Sequence, residues 1–256
     1  MDVLLTRTVS YGRDIVRAMS EISSPDPVTC TIEDGVAVVR LDDGKVNVIS
    51  HRVLGLLHAA LDEAEAAASS VAIIGREGKL SAGFDLTEMT ASAERAQALV
   101  GAGGRLLMRI YGHPQAVVVG VTGHALAAGA LLTLSCDTRI GGDGPAKIGL
   151  NETAIGMGLP HYAVELAQAR LSSAHLIRSA VQAEIYDAPG AVEAGYLDRV
   201  VPAADVERIA IEEARRLGAF AARAYSHTKL ALHQAMIDRV LPAIDDDMVK
   251  MTTPSV

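Results

Sequence analysis

A chain of 256 residues that is 50% hydrophobic is long enough to bury a full core, which argues against disorder. Its formal charge of −8, from 31 acidic against 23 basic residues without a basic block, excludes the electrostatic footprint of a nucleic-acid binder. Two cysteines, Cys30 and Cys136, are too few for a disulfide framework and point to a reducing cytoplasm, and no apolar run approaches the roughly 18 residues that span a bilayer.

Residues 1–27 read as an extension ahead of the domain. Arg7, Arg13 and Arg17 lie among Ser and Thr as in a mitochondrial transit peptide, but Asp2, Asp14 and Glu21 oppose that reading, and the turn "SSPDP" (23–27) closes the stretch. "VAVVRL" (36–41) has the β-branched density of a buried strand, and "DDGK" (42–45) ends it. Over 51–68, Val53, Leu57, Ala60, Leu61 and Ala64 recur at helical spacing, and "VAIIG" (71–75) is the next strand. The pattern repeats: Ala96, Leu99, Val100, Gly103, Leu106, Leu107 and Ile110 trace one helical face, and "AVVVGVTG" (116–123) is again a strand. Such alternation predicts parallel strands covered by helices, an α/β fold.

The small-residue run "HALAAGALLTLSC" (124–136) predicts a buried helix, with Cys136 as a small hydrophobe at its end. A strand at 138–142, helices at 161–170 and 173–182, and a short helix turning into a strand over 190–202 follow. The last fifty residues are helical and suited to packing on their own domain or on a neighbouring subunit.

Common chemical signatures fail on residue type. There is no G-x-S-x-G, no Walker A, and no H-E-x-x-H or Cys/His ligand spacing, so a resident metal has no support. "GAGGR" (101–105) and "GMGLPH" (156–161) resemble dinucleotide loops only superficially. Three segments survive. "LSAGFDLTEM" (80–89) and "VTGHALAAGA" (121–130) are turns into helix starts, where backbone N–H groups lack intrahelical partners and two together make an oxyanion hole. In "IGLNETAIGMGLP" (148–160), Glu152 is the one charged residue. It reads either as an acid/base in a low-dielectric pocket or as a carboxylate capping a helix start.

In this order the three segments resemble the enoyl-CoA hydratase/isomerase superfamily, the crotonase fold, over about residues 30–235. Ser81-Ala82-Gly83-Phe84-Asp85-Leu86 meets its S/A-A-G-x-D-L pattern, Gly123 to Gly129 meets G-x-A-x-G-G-G loosely, and "AVEAGYLDRVVP" is similar to A-x-x-x-G-L-V-D-x-V-V-P. The resemblance implies a spiral of ββα units over 28–200, a helical C-terminal region over 201–256 that builds trimers or dimers of trimers and closes the site, and a coenzyme A thioester as substrate with no further cofactor. It carries the oxyanion donors to the backbone N–H of Phe84 and Ala128, each worth about 3 kcal/mol to a transition state. Ala82, Gly83, Asp85, Leu86, His124, Gly129 and Leu131 become substrate-pocket residues, the Ala82 carbonyl region facing the adenine.

Ala127 and Ala128 stand where the family has glycine, which predicts a narrowed acyl channel. Lys45 and Lys229 are phosphate-partner candidates, though solvated surface lysine is the simpler reading of both. Two-carboxylate hydratases of the family carry a glutamate where this chain has Leu131, while the second carboxylate is kept as Glu152, in a setting similar to the mitochondrial type of 3,2-trans-enoyl-CoA isomerase. One carboxylate suffices to move a double bond, with Glu152 as base and then acid. Burial among Ile148, Leu150, Ile155 and Met157 is expected to raise its pKa. Three outcomes stay open: isomerase, hydratase using Glu152 alone or with His124, and a catalytically silent acyl-CoA binder. For His124 itself, a hydrogen-bonded structural role is the simpler reading.

Overall fold

In the computed structural model, which describes residues 26–251, the apolar run expected at 36–41 is β2 (Val36–Leu41), the second strand of a six-stranded sheet. Residues 1–25 of the expected extension lie outside the described residues. β1 (Val28–Glu33) pairs antiparallel with β2 along one edge. Its mixed "VTCTIE" pattern, buried mainly at Val28, gave no strand signal of the kind that β2 carries. From β2 the sheet runs parallel through β4 (Ser70–Gly75), β7 (Ala116–Val121), β9 (Thr138–Gly142) and β11 (Arg199–Val201). Parallel neighbours need crossovers, and helices supply them. α1 (His51–Ala67) returns the chain from β2 to β4, with Ser50 Oγ accepting the Val53 N–H as its N-cap.

After β4, β7 and β9 the chain turns at once into a second layer. β5 (Gly78–Ser81), β8 (Gly123–Leu126) and β10 (Ile148–Gly149) form a three-stranded sheet in the order β10-β8-β5. Two strands and then a helix per turn is the ββα spiral expected of the crotonase fold. The corners are sterically tight: a Cβ on Gly123 would collide with the Gly78 backbone, and one on Gly75 would stand 2.5 Å from the Lys79 carbonyl oxygen. A third pairing joins β3 (Val48–Ile49) to β6 (Gly83–Phe84). Two helices follow β6, the four-residue α2 (Leu86–Met89) and the long α3 (Ala93–Tyr111).

The helix expected over 124–136 begins later. Gly123–Leu126 is strand β8, and α4 spans only Ala128–Ser135. Helical periodicity could not separate them, because both segments are small and apolar; the pairing of β8 between β5 and β10 decides. α5 (His161–Arg170) matches expectation, whereas the helix expected over 173–182 shortens to α6 (Leu176–Ala180). α7 (Ala188–Ala194), capped by Asp187, leads into β11. α8 (Val206–Gly218) then lays Ala210 and Ala214 on Val36, Val38, Ala72, Ile74, Val118 and Ile140, covering the sheet face opposite the main core. α9 (Ala222–Met251) runs along α3 and α5. Among the described residues no helix is long and apolar enough to cross a membrane.

Candidate active site

The first turn is held by β3. Ile49 pairs with Phe84, and its carbonyl accepts the Asp85 N–H at 3.0 Å. In a parallel ladder Ile49 therefore bonds to the residues on either side of Phe84, which leaves the Phe84 N–H on the edge away from β3. Gly83 has φ +103°, a conformation suited to glycine, and its N–H is accepted by Ser81 Oγ at 3.1 Å. Asp85 spends its carboxylate on the Thr87 N–H, capping α2, and Leu86 beyond it is exposed. Ala82 is exposed too, its N–H tied to the Val46 carbonyl at 3.0 Å, so its own surface faces solvent.

The second turn lies against the first. A Cβ on Gly83 would stand 3.3 Å from the Leu126 carbonyl oxygen and 3.6 Å from the Ala128 nitrogen. Ala128 opens α4, so its N–H has no intrahelical acceptor. Ala127 precedes it at φ 50°, ψ −121°, strained for a residue with a Cβ, and its N–H donates to the Gly149 carbonyl at 3.1 Å. Gly129 permits the approach of α4 to β5, since a Cβ there would be 2.5 Å from the Ser81 carbonyl oxygen. Behind both turns lies a narrow apolar gap of about 10 Å³, lined by Phe84, Gly103, Leu107, Ala128 and Leu132 among others.

Glu152 follows the same strand pair. Gly149 pairs with Leu126 on β8, and Glu152 comes three residues later, immediately before the short 3₁₀ turn Thr153–Ile155. The carboxylate does not cap that turn, and its Oε2 is buried without a hydrogen-bond partner. Only 8% of the residue is exposed, and burial pushes its pKa up to about 7; among the described residues no other charged group adds to that shift. The burial does not come from the neighbours expected. Ile148 and Leu150 are buried, but Ile155 is 57% exposed and Met157 only half-buried. Two tyrosines, Tyr162 on α5 and Tyr196 after α7, are raised in pKa mainly by burial and stand close enough for Glu152 to add to the rise. Tyr162 donates to the Val100 carbonyl at 3.1 Å and covers Gly104, where a Cβ would be 2.6 Å from its ring.

Gly103, beside Gly104, is covered in the same way by the Phe84 ring. The "GAGGR" stretch is thus a helix face pared down to seat two aromatic rings, Phe84 and Tyr162, and paired glycines inside a helical pattern were the available signal for both. Leu131 is 1% exposed within the main core. His124 Nδ1 accepts the Lys147 N–H at 2.9 Å, a bond that fixes the approach to β10. Lys45 is exposed as expected. Lys229 is not a surface lysine: it is 6% exposed and pairs with Asp137 at 2.7 Å, at the far end of α4. Cys136 is fully buried, its thiol pushed up to about 12 by burial. Among the described residues no cluster of three His, Cys, Asp or Glu is set to hold a metal.

The family model described as Enoyl-CoA hydratase/isomerase matches residues 31–253. The chain belongs to this family. Among its relatives, human mitochondrial enoyl-CoA delta isomerase 1 is 30% identical over 219 residues, 84% of this chain and 72% of that protein. The crystal structure of an enoyl-CoA hydratase/isomerase family protein from Pseudomonas syringae superposes with a TM-score of 0.85 at 42% identity, covering 90% of this chain and 100% of that one. An enoyl-CoA hydratase from Mycobacterium marinum superposes at 0.83 with 32% identity, covering 88% and 99%. Relatives of both activities thus share the fold.

Proposed function

We propose that this chain is an enoyl-CoA isomerase, moving the double bond of a 3-enoyl-CoA into conjugation at position 2. The reading rests above all on Glu152, a buried carboxylate with an unpartnered oxygen and a pKa near 7 that owes nothing to a second carboxylate. The Glu152 carboxylate takes a proton from C2. The electron pair moves through the thioester carbonyl, and the oxygen charge of the resulting dienolate is received by the N–H groups of Phe84 and Ala128. Glu152 then returns the proton to C4, and the double bond closes between C2 and C3. A pKa near the working pH suits a group that must accept and release the same proton. Ala82 would meet the adenine of coenzyme A.

Hydration is the rival reading. It needs a group to orient water and manage its proton, and Leu131 can do neither. The Nδ1 of His124, the other helper considered, is already occupied by the Lys147 N–H. The decisive experiment supplies purified protein with 3-hexenoyl-CoA and, separately, with crotonyl-CoA. The expected result is growth of conjugated-enoyl absorbance from the first and no loss of absorbance from the second. Hydration of crotonyl-CoA without isomerisation overturns the proposal, as does thermal stabilisation by acyl-CoA without turnover of either substrate.

A further inference from the structure

We infer that Glu88 is a positioning residue for the Phe84 N–H, acting as a clamp between the first oxyanion turn and the N-terminus of α1. The inference rests on the oxyanion role proposed for Phe84. Glu88 lies on α2, four residues after Phe84, and its side chain is only 14% exposed despite its charge. Both carboxylate oxygens are committed to one residue of another element. Oε1 accepts the His51 backbone N–H at 3.2 Å, and Oε2 pairs with His51 Nδ1 at 2.5 Å. Arg95, from the first turn of α3, brings its Nε within 3.7 Å of the same oxygen. Burial works to raise the Glu88 pKa, but the hydrogen bonds and charge of His51 together with the Arg95 charge outweigh it and hold the carboxyl below the usual range.

The location of His51 gives this contact its meaning. His51 is the first residue of α1, so its N–H is one of the unpaired donors at the positive end of a 17-residue helix, where a carboxylate is favoured. Two residues earlier, Ile49 accepts the Asp85 N–H and pairs with Phe84. The β3–α1 junction therefore grips the Phe84 turn twice, through the ladder before Asp85 and through Glu88 beyond it. One grip fixes a point; two fix the direction of the Phe84 N–H. An oxyanion donor works only if already aimed where charge develops, and small displacements are costly in rate. Asp85 supports the same arrangement by capping α2, which keeps Glu88 on the His51 side.

The test compares full-length Glu88→Ala, Glu88→Gln and the exposed-carboxylate control Glu193→Ala on 3-hexenoyl-CoA. Acetoacetyl-CoA serves as a spectroscopic probe, because its bound enolate absorbs in the near ultraviolet and reports on the oxyanion donors. Glu88→Ala is expected to lower kcat on the order of tenfold with little change in KM, and to reduce the enolate fraction of bound acetoacetyl-CoA at fixed pH. Glu88→Gln, which keeps an acceptor for the His51 N–H, is expected to recover part of both. Wild-type kcat and enolate fraction in Glu88→Ala overturn the inference, as does a loss confined to KM or melting temperature. If Glu152→Gln is inactive while Glu88→Ala is normal, only the clamp fails. If the wild type binds acetoacetyl-CoA without enolate, or Glu152→Gln keeps full rate, the underlying reading fails instead.

Discussion

Gly83 and Ala128 meet across the two turns of the candidate oxyanion hole: a methyl group on Gly83 would stand 3.6 Å from the Ala128 nitrogen and 3.0 Å from the Ala127 Cβ. The two backbone segments therefore lie side by side, without room for a methyl group between them unless one shifts. Gly83→Ala adds that methyl at φ +103°, at a cost on the order of 1–3 kcal/mol in backbone strain, and wedges the turns apart. The expected outcome is a loss of kcat/KM on the order of a hundredfold that exceeds any fall in melting temperature, read by steady-state kinetics alongside thermal unfolding.

Ala127 makes the opposite case. It holds φ 50°, ψ −121° with a Cβ, and glycine reaches that conformation without strain. Ala127→Gly is expected to stabilise the fold by about 1 kcal/mol after the extra entropy of the unfolded glycine is subtracted. Chemical denaturation checks this, and an unchanged or lowered midpoint counts against the strain.

Glu152→Gln is expected to lower kcat by a factor of roughly 10²–10⁴ while making the protein more stable at alkaline pH. The folded pKa of Glu152, about 7, lies above the ordinary glutamate value of 4.5. Between those values the folded state holds a proton that the unfolded state has released, so this group makes stability fall as pH rises through the window. Above pH 7 the loss reaches roughly 3 kcal/mol, and glutamine escapes it. Melting temperatures of the two proteins are expected to agree near pH 4 and to diverge by pH 8.

The same titration governs turnover. A base must be ionised to take the C2 proton, so kcat/KM is expected to rise with pH and reach half its plateau at about 7, the pKa of Glu152. A pH–rate profile with its acid limb near the ordinary glutamate pKa would show that Glu152 is not the base.

Lys229 and Asp137 form a separate, structural pair at 2.7 Å, joined by the Tyr225 hydroxyl and the Gln115 carbonyl. Burial presses the Lys229 pKa down against the pull of Asp137. Removing one partner strands the other charge, so Lys229→Ala is expected to cost about 3–5 kcal/mol of stability, measured by denaturant unfolding, with kcat of the folded fraction retained.

Much of the main sheet was legible in the sequence, because β2, β4 and β7 each hold at least four consecutive buried apolar residues, and a strand buried on both faces needs no other signal. The motif glycines were legible too, since few residue types can occupy such turns, and Glu152 stood out as the one charge in an apolar run. The second layer was not. β3, β6 and β10 are two residues long, and β5 and β8 only four, too short for any periodicity, so partners far along the chain define them. For the same reason the start of α4 moved from residue 124 to Ala128, the position that matters for a backbone donor.

By itself the sequence determined which groups could do chemistry: a lone carboxylate at 152, a leucine at 131, and two glycine-bearing turns. Only the tertiary structure decided how those groups are dressed. Glu152 is desolvated beside Tyr162 and Tyr196, while the sequence neighbour Ile155 faces solvent; Lys229 is drawn inside by Asp137; and Glu88 finds its partner in His51. Local pattern sets which face a side chain takes along its own element. Dielectric surroundings and hydrogen-bond partners come from other elements, from Tyr162 ten residues on to His51 thirty-seven residues before Glu88, and those set the pKa of Glu152 and the hold on the Phe84 turn.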